Sequence, residues 1–397
     1  MSVVGIFDEV TEAFETLPSP VSDDPLVTLG IVAVVLALFG VLVAVFWQRY
    51  RVPGKRFTRT LANHNAVAVL MHPNPDPDAM SCALAAATIA LERDTDASVY
   101  YPGQIRHHEN RALETLLQSE FDIDIDFERI DAADEIEEET VVLVDHNEPR
   151  DFPNAETVTP VAVVDHHPGD GRGRSFTDVR TDYGACASIF TEYLKQLGWE
   201  PIDPDDDTDP KRELPPGVAT ALVYGVLSDT NHLTRGCSPA DFDAIRFLYP
   251  GIDEDTLDRI ANPDIDAESL EVKSRAITER EVRSPFAISD VGAVSNLDSI
   301  PQAADDLRQL EGISAVVVLG EKDGQIRLAG RSSDDRVHMG KVLKAVTENI
   351  PMAEGGGHAR MGGGTVSIEH MEGLGPSNGV TREELKEQLF AAMNGDL

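Results

Sequence analysis

AVAVLMHPNPDPD, residues 66–78, runs from six apolar residues straight into a histidine and two aspartates set between prolines. The pattern returns in TVVLVDHNE (140–148) and PVAVVDHH (160–167), and SDTNH (228–232) closes a further apolar run. Apolar runs of this length read as buried parallel strands. Open α/β sheets gather their active sites at the carboxyl ends of such strands. Four sets of metal-binding side chains in series therefore predict an α/β fold with a mostly parallel sheet and a two-metal hydrolytic site at one edge of it.

The pattern around these stretches agrees. Ala66–Met71, Thr140–Val144 and Pro160–Val164 read as strands, and Ala79–Glu92, Cys186–Leu197 and Val218–Leu227 as helices. Such alternation predicts a sheet covered by helices on both faces. Residues 60–250 form the expected catalytic domain, 251–285 a polar helical linker and 286–397 a smaller α/β domain. In the last, Ile313–Leu319 and Gln325–Ala329 read as strands around a Lys322-Asp323-Gly324 hairpin, and Met339–Ile350 as a helix. Asp203–Asp209 reads as a solvated acidic loop.

His72, Asp76 and Asp78 lie on one loop that Pro73, Pro75 and Pro77 keep extended. Two close carboxylates repel unless a cation lies between them. Mixed oxygen and imidazole donors suit manganese, cobalt, zinc or iron more than calcium. Two such metals about 3.5–4 Å apart could hold a hydroxide and orient a phosphate for in-line attack.

Charge narrows the ligand. Seventy acidic residues against 33 basic give a net charge of −37, which repels long nucleic acid polymers. The acids are spread through patterned segments, as in proteins adapted to high salt. Cys82, Cys186 and Cys237 show no CxxC spacing and read as reduced structural thiols.

PLVTLGIVAVVLALFGVLVAVFW, residues 25–47, carries no charge and is long enough for a membrane span. Arg49, Arg51, Lys55, Arg56 and Arg59 follow it. The expectation is an acidic N-terminal segment (1–24), a transmembrane helix (25–48), contact with membrane lipid and a single-pass protein of the cell membrane with cytoplasmic catalytic domains. Such a helix also allows a homodimer.

The motif set HPNPDPDA, VDHNE, VDHHP, GVLSDTNHLT and EGGGHARMGGG resembles the DHH phosphoesterase superfamily, in its DHH/DHHA1 branch, over about residues 60–395. The resemblance implies two domains around a cleft, with two divalent metals, usually manganese, in the first and the substrate's nucleotide part bound by the second. It implies that His72, Asp76 and Asp145 hold one metal, and Asp78, Asp145, His166 and Asp229 the other, with Asp145 bridging. His167 would contact the scissile phosphate as a catalytic group beside Asp145, and Asp165 would orient a histidine. In the second domain it implies substrate contacts from Arg331, Ser332, Gly355, Gly356, Gly357, His358 and Arg360.

Asp145-His146-Asn147-Glu148 resembles the wording of family II inorganic pyrophosphatases, while the GGGH stretch belongs to the nucleotide-binding branch. The expected substrates are short oligonucleotides and 3′-phosphoadenosine 5′-phosphate. Cyclic di-AMP and other cyclic dinucleotides, pyrophosphate, and a tethered nucleotide sensor without turnover are the alternatives. Self-repulsion among so many acids is screened by salt. The thermal midpoint is therefore expected to rise between 0.1 M and 2 M KCl, as followed by circular dichroism; a midpoint highest in dilute buffer would contradict the high-salt reading.

Overall fold

The computed structural model describes residues 34–40, 52–105, 108–120, 125–202, 211–371 and 379–396. The chain divides into two compact units between Ala261 and Asn262.

The first unit opens with helix α1 (Pro53–Leu61) and strand β1 (Ala66–Leu70). Helix α2 (Pro77–Leu91), β2 (Asp96–Pro102), α3 (His108–Glu120) and β3 (Phe127–Ile130) follow. Then come β4 (Val141–Val144), β5 (Ala162–Asp165) and β6 (Phe176–Val179). Helices α4 (Cys186–Leu197), α5 (Pro216–Asp229), α6 (Pro239–Leu248) and α7 (Glu254–Ala261) complete the unit. A short ladder of β7 (Glu200–Pro201) and β8 (Glu213–Leu214) joins α4 to α5.

Strands β1 to β6 form one sheet in the order β3-β2-β1-β4-β5-β6, all parallel. The order reverses between β1 and β4, and at such a switch the loops leaving the two strands diverge and open a crevice. The expected strands are thus the centre of the sheet and apolar on both faces, but helices pack only one of them; on the other, Ile136, Phe152 and Val158 of the connecting segments take the place of the helices that were expected. Helix α2 (PDAMSCALAAATIAL) is apolar almost all round and nearly wholly buried. Its small residues let α5 approach closely, so that a Cβ on Gly225 would crowd Ser81 and Ala187.

The second unit contains α8 (Ala267–Thr278), β9 (Arg280–Arg283), β10 (Phe286–Ala293) and α9 (Ser299–Arg308). Next are β11 (Ala315–Lys322), β12 (Gln325–Ser332) and α10 (Met339–Thr347). Strands β13 (Glu354–Gly357) and β14 (Met361–Ser367), then α11 (Ile368–Met371) and α12 (Arg382–Asn394), end it. Its sheet runs β13-β14-β12-β11-β10-β9, with only β10 and β11 parallel. Of the stretch expected as a linker, α8 and β9 thus belong to the second unit, and α7 to the first.

The expected membrane span needs correction. Of residues 25–48 only 34–40 are described; they are helical. Among the described residues no helix is long and apolar enough to cross a membrane. The single-pass placement in the cell membrane with cytoplasmic domains, and lipid as a partner, therefore do not stand. Residues 1–24, the rest of 25–48 and the acidic loop 203–209 lie outside the described residues.

The glycines of EGGGHARMGGG form strands rather than a loose turn. Gly355, Gly356 and Gly357 pair with Gly364, Gly363 and Gly362. Helix α10 lies against one face of this ladder. A Cβ on Gly355 would come within 2.5 Å of the Leu343 carbonyl oxygen, and one on Gly340 would run into the carbonyl of Gly357. A Cβ on Gly356, on the other face, would meet nothing within 4 Å. Gly340→Ala is therefore expected to cost about 2–4 kcal/mol, as overpacking against backbone does. Gly356→Ala should cost no more than about 1 kcal/mol. Urea denaturation of the two variants checks the contrast.

Candidate metal centre

The site is built where the sheet order reverses. His72 stands just past β1, Asp145 just past β4, and His166 and His167 just past β5. Asp76 caps α2, its carboxylate accepting the Ala79 N–H at 3.0 Å, and Asp78 lies in that helix's first turn. Asp229 is the last residue of α5. Three overlapping sets, His72–Asp76–Asp145, Asp145–His166–His167 and Asp78–His166–Asp229, each bring one ligand atom per residue within 4.8 Å of the others.

Asp145 is common to two of these sets. It is 1% exposed and its backbone is left-handed, φ 59°. Its Oδ2 is 3.6 Å from His72 Nε2, and its Oδ1 is 3.5 Å from His166 Nε2 and 3.7 Å from His167 Nδ1. Neither oxygen has a hydrogen-bond partner, and the buried Nε2 of His166 has none either. His72 Nε2 also lies 3.6 Å from Asp76 Oδ2, and His166 Nε2 lies 3.2 Å from Asp229 Oδ2 and 3.8 Å from Asp78 Oδ2. Two donors bound to one cation at about 2.1 Å stand roughly 3.0–3.4 Å apart. The donor set and its orphaned buried atoms thus fit divalent cations.

The surrounding groups fix which nitrogen faces inward. His72 Nδ1 is 3.1 Å from the Pro73 carbonyl and His166 Nδ1 is 3.3 Å from the Tyr183 carbonyl, which leaves each Nε2 toward the carboxylates. His167 Nδ1 pairs with Asp165 Oδ1 at 3.0 Å, which leaves its Nε2 free; its side chain is 46% exposed. Asp165 is fully buried and also accepts the backbone N–H groups of His166 and His167 and the Asn147 amide.

Asp78 has a second task. Its two oxygens accept the N–H groups of Cys186 and Ala187 at 2.7 Å each, so it caps α4, whose own N-cap, Ala185, has no side chain to offer. A carboxylate has about four acceptor positions, so the cap leaves Asp78 able to face His166. Asp78's capping role was invisible in sequence because it acts across 108 residues, and Asn147, though inside a quoted motif, gave no sign of its bond to Asp165.

Other expected residues fall elsewhere. His146 is buried, its Nδ1 held by the Val144 carbonyl, and burial pushes its imidazole down to about 4. Glu148 and His232 are exposed and belong to none of the three sets. In the second unit Arg331 makes a two-bond ion pair with Asp305, and Arg360 one bond to Asp335. The buried Ser332 hydroxyl bonds the Asp334 backbone. Gly356, Gly357 and His358 lie in and just past β13.

Residues 66–226 match the family model described as DHH family, N-terminal domain, and residues 283–374 the one described as DHHA1 domain. The chain carries a DHH family N-terminal domain followed by a DHHA1 domain, and DHH superfamily members are metal-dependent phosphoesterases. An uncharacterized protein of Methanocaldococcus jannaschii is 35% identical over 295 residues, 73% of this chain and 55% of that protein. The A-adding tRNA nucleotidyltransferase of Aquifex aeolicus is 26% identical over 258 residues, 63% of this chain and 27% of the enzyme. The chain thus spans about half, or less, of these relatives' lengths. An exopolyphosphatase-related protein from Bacteroides fragilis has the same fold, with a TM-score of 0.63 at 16% identity over 86% of this chain and 95% of that one.

Electrostatics predict how metal enters. Burial alone would lower the His72 and His166 imidazoles; the neighbouring carboxylates, Asp145 and Asp76 for the first and Asp229, Asp78 and Asp145 for the second, outweigh it and raise them to about 11 and about 10. Burial raises the Asp145 carboxyl to about 6. Without metal at pH 7, both imidazoles therefore carry protons that metal must displace. Affinity for Mn²⁺ is expected to climb from pH 6 to 9 by about tenfold per unit for each proton displaced, and to collapse below pH 6 as Asp145 protonates. Titration calorimetry in buffers of different ionisation enthalpy should count one to two protons released; an affinity flat over this range would contradict the arrangement.

Proposed function

We propose that the chain is a divalent-metal-dependent phosphoesterase that hydrolyses phosphate esters of small nucleotides or short oligonucleotides, including 3′-phosphoadenosine 5′-phosphate. The observation that carries this reading is the buried Asp145 carboxylate, unpartnered at both oxygens, with one turned to His72 and the other to His166. His72, Asp76 and Asp145 would hold one cation, and Asp78, Asp145, His166 and Asp229 the second. When bound, the pair would supply an activated water and charge stabilisation on the phosphoryl oxygens. The donor set suits manganese, cobalt, zinc or iron, and manganese is the one that the family resemblance implies.

The chain's own residues do the rest. Asp165 raises the His167 imidazole and holds its Nδ1, which leaves Nε2 to face outward. In the protonated ring that Nε2–H would donate to a phosphoryl or leaving-group oxygen. Asp78 ties the site to the first turn of α4, so the carboxylate cannot swing away. In the second unit the open face at Gly356 lets a planar or anionic group approach backbone, with Gly357 and His358 beside it. Arg331, Ser332 and Arg360 are the further substrate contacts of this reading. Each arginine would exchange its aspartate for a phosphate, a stronger bidentate partner. The net charge of −37 favours short anions over long strands.

The test is product analysis of the chain with Mn²⁺ at high salt, using a short RNA ladder, 3′-phosphoadenosine 5′-phosphate, cyclic di-AMP and pyrophosphate in parallel. Mononucleotides and AMP are expected. Phosphate from pyrophosphate alone would replace this reading with a pyrophosphatase, and binding without product would replace it with a sensor. Asp145→Ala should lower turnover by at least about 10³-fold. It should also leave fewer than two bound metals per chain by elemental analysis; full occupancy in that variant would remove Asp145 from the centre.

A further inference from the structure

The other end of α2 carries a second candidate site. There a cavity of about 390 Å³ is lined by Lys55, Thr58, Arg59, Ala62, Arg93, Leu197 and Arg212. Among the described residues that line it, four of seven are cationic and none is acidic, in a chain with 70 acids and 33 bases. Lys55 and Arg59 stand one turn apart on α1, where like charges destabilise a helix. Arg93 follows the α2 C-cap, Glu92. That carboxylate bridges two guanidinium groups, with Oε2 3.2 Å from Arg93 Nε and Oε1 2.9 Å from Arg212 Nε. Arg212 Nη1 also donates to the Leu197 carbonyl at the end of α4 at 2.6 Å.

Helix C-termini attract cations, and this accounts for Arg93 and Arg212. It also accounts for Arg59, in the last turn of α1, but not for Lys55, in the first. Glu92 holds two guanidinium groups side by side while each keeps further N–H donors, a fork suited to phosphate oxygens. Among the described residues no aromatic ring lines the cavity to stack a base, so the chemistry there selects phosphate rather than a nucleobase. The remaining acidic surface keeps long polyanions away. The cavity lies at the opposite end of α2 from Asp76, about 24 Å along the helix axis, so its occupant is not the group at the metal centre.

We propose that this basic cavity binds a small free phosphate-bearing anion of two or three phosphate groups, at a site separate from the metal centre. Tripolyphosphate is the probe, titrated calorimetrically into the full chain stripped of divalent metal, at fixed ionic strength. The wild-type chain is expected to take up one more equivalent than Lys55→Ala/Arg93→Ala, or to bind it at least tenfold more tightly, with the melting profile of the variant unchanged. If the double variant unfolds early, Lys55→Gln alone, read by ³¹P line broadening, should still weaken binding severalfold. No uptake by the wild type, equal uptake by the folded variants, or capture on phosphatidylglycerol vesicles without tripolyphosphate binding would each overturn the proposal.

Discussion

Asp145 places a carboxylate where neither oxygen meets a donor, and the first unit is arranged around that fact. An isolated buried carboxylate costs several kcal/mol and ordinarily takes up a proton or a partner. Here the partners are two imidazoles, one on each side, that come from different strands of the sheet. The left-handed backbone at Asp145 turns the chain sharply off β4 and points the side chain back into the crevice. Such a conformation costs about 1–3 kcal/mol for a residue other than glycine and persists where the surroundings over-determine it. The packing of β1, β4 and β5 supplies that determination, with three apolar strands buried on both faces.

Asp78 joins the site to the fold in a different way. By accepting the first N–H groups of α4 it satisfies donors that the helix's own N-cap cannot. Burial, with Asp145 and Asp229 beside it, pushes its carboxyl well above the ordinary range. The α4 N-terminus, partly positive, offsets this and helps keep the group charged. A residue that both caps a buried helix and faces a cation set couples two demands: loss of the side chain would loosen α4 as well as the centre.

The residues nearest the chemistry were the most legible in the sequence. An apolar run followed by histidine or aspartate states its position at a strand's carboxyl end, so the strands bearing His72, Asp145 and His166 could be read within one or two residues. The outer strands were not read. β2 (DASVYYP) is half exposed at its start, β3 (FERI) is short and mixed, and β6 (FTDV) sets two polar residues between its apolar ends; none carries the continuous apolar signal of a doubly covered strand. Strands β13 and β14 were hidden for the opposite reason. Glycine disfavours strands, and its presence there reflects how closely α10 lies on the ladder, which only the folded structure displays. The membrane span over 25–48 was read from hydropathy alone, which measures the apolar character of a segment and not its place in a fold.

Charge acts differently at the two ends of α2. At its start, carboxylates gather without enough cations of their own, and the deficit is met by protonated histidines in the absence of metal. At its end, cations gather around one carboxylate, Glu92, inside a strongly acidic chain. Both arrangements set like charges side by side at a cost that neutral substitutes would avoid. A surface adjusted only for solubility would scatter the 33 basic residues among the acids, as most of the second unit does with pairs such as Arg331–Asp305 and Arg382–Asp290. Concentrating four of them around one cavity runs against the field of the whole molecule. The same electrostatic argument that assigns cations to the first site therefore assigns an anion to the second.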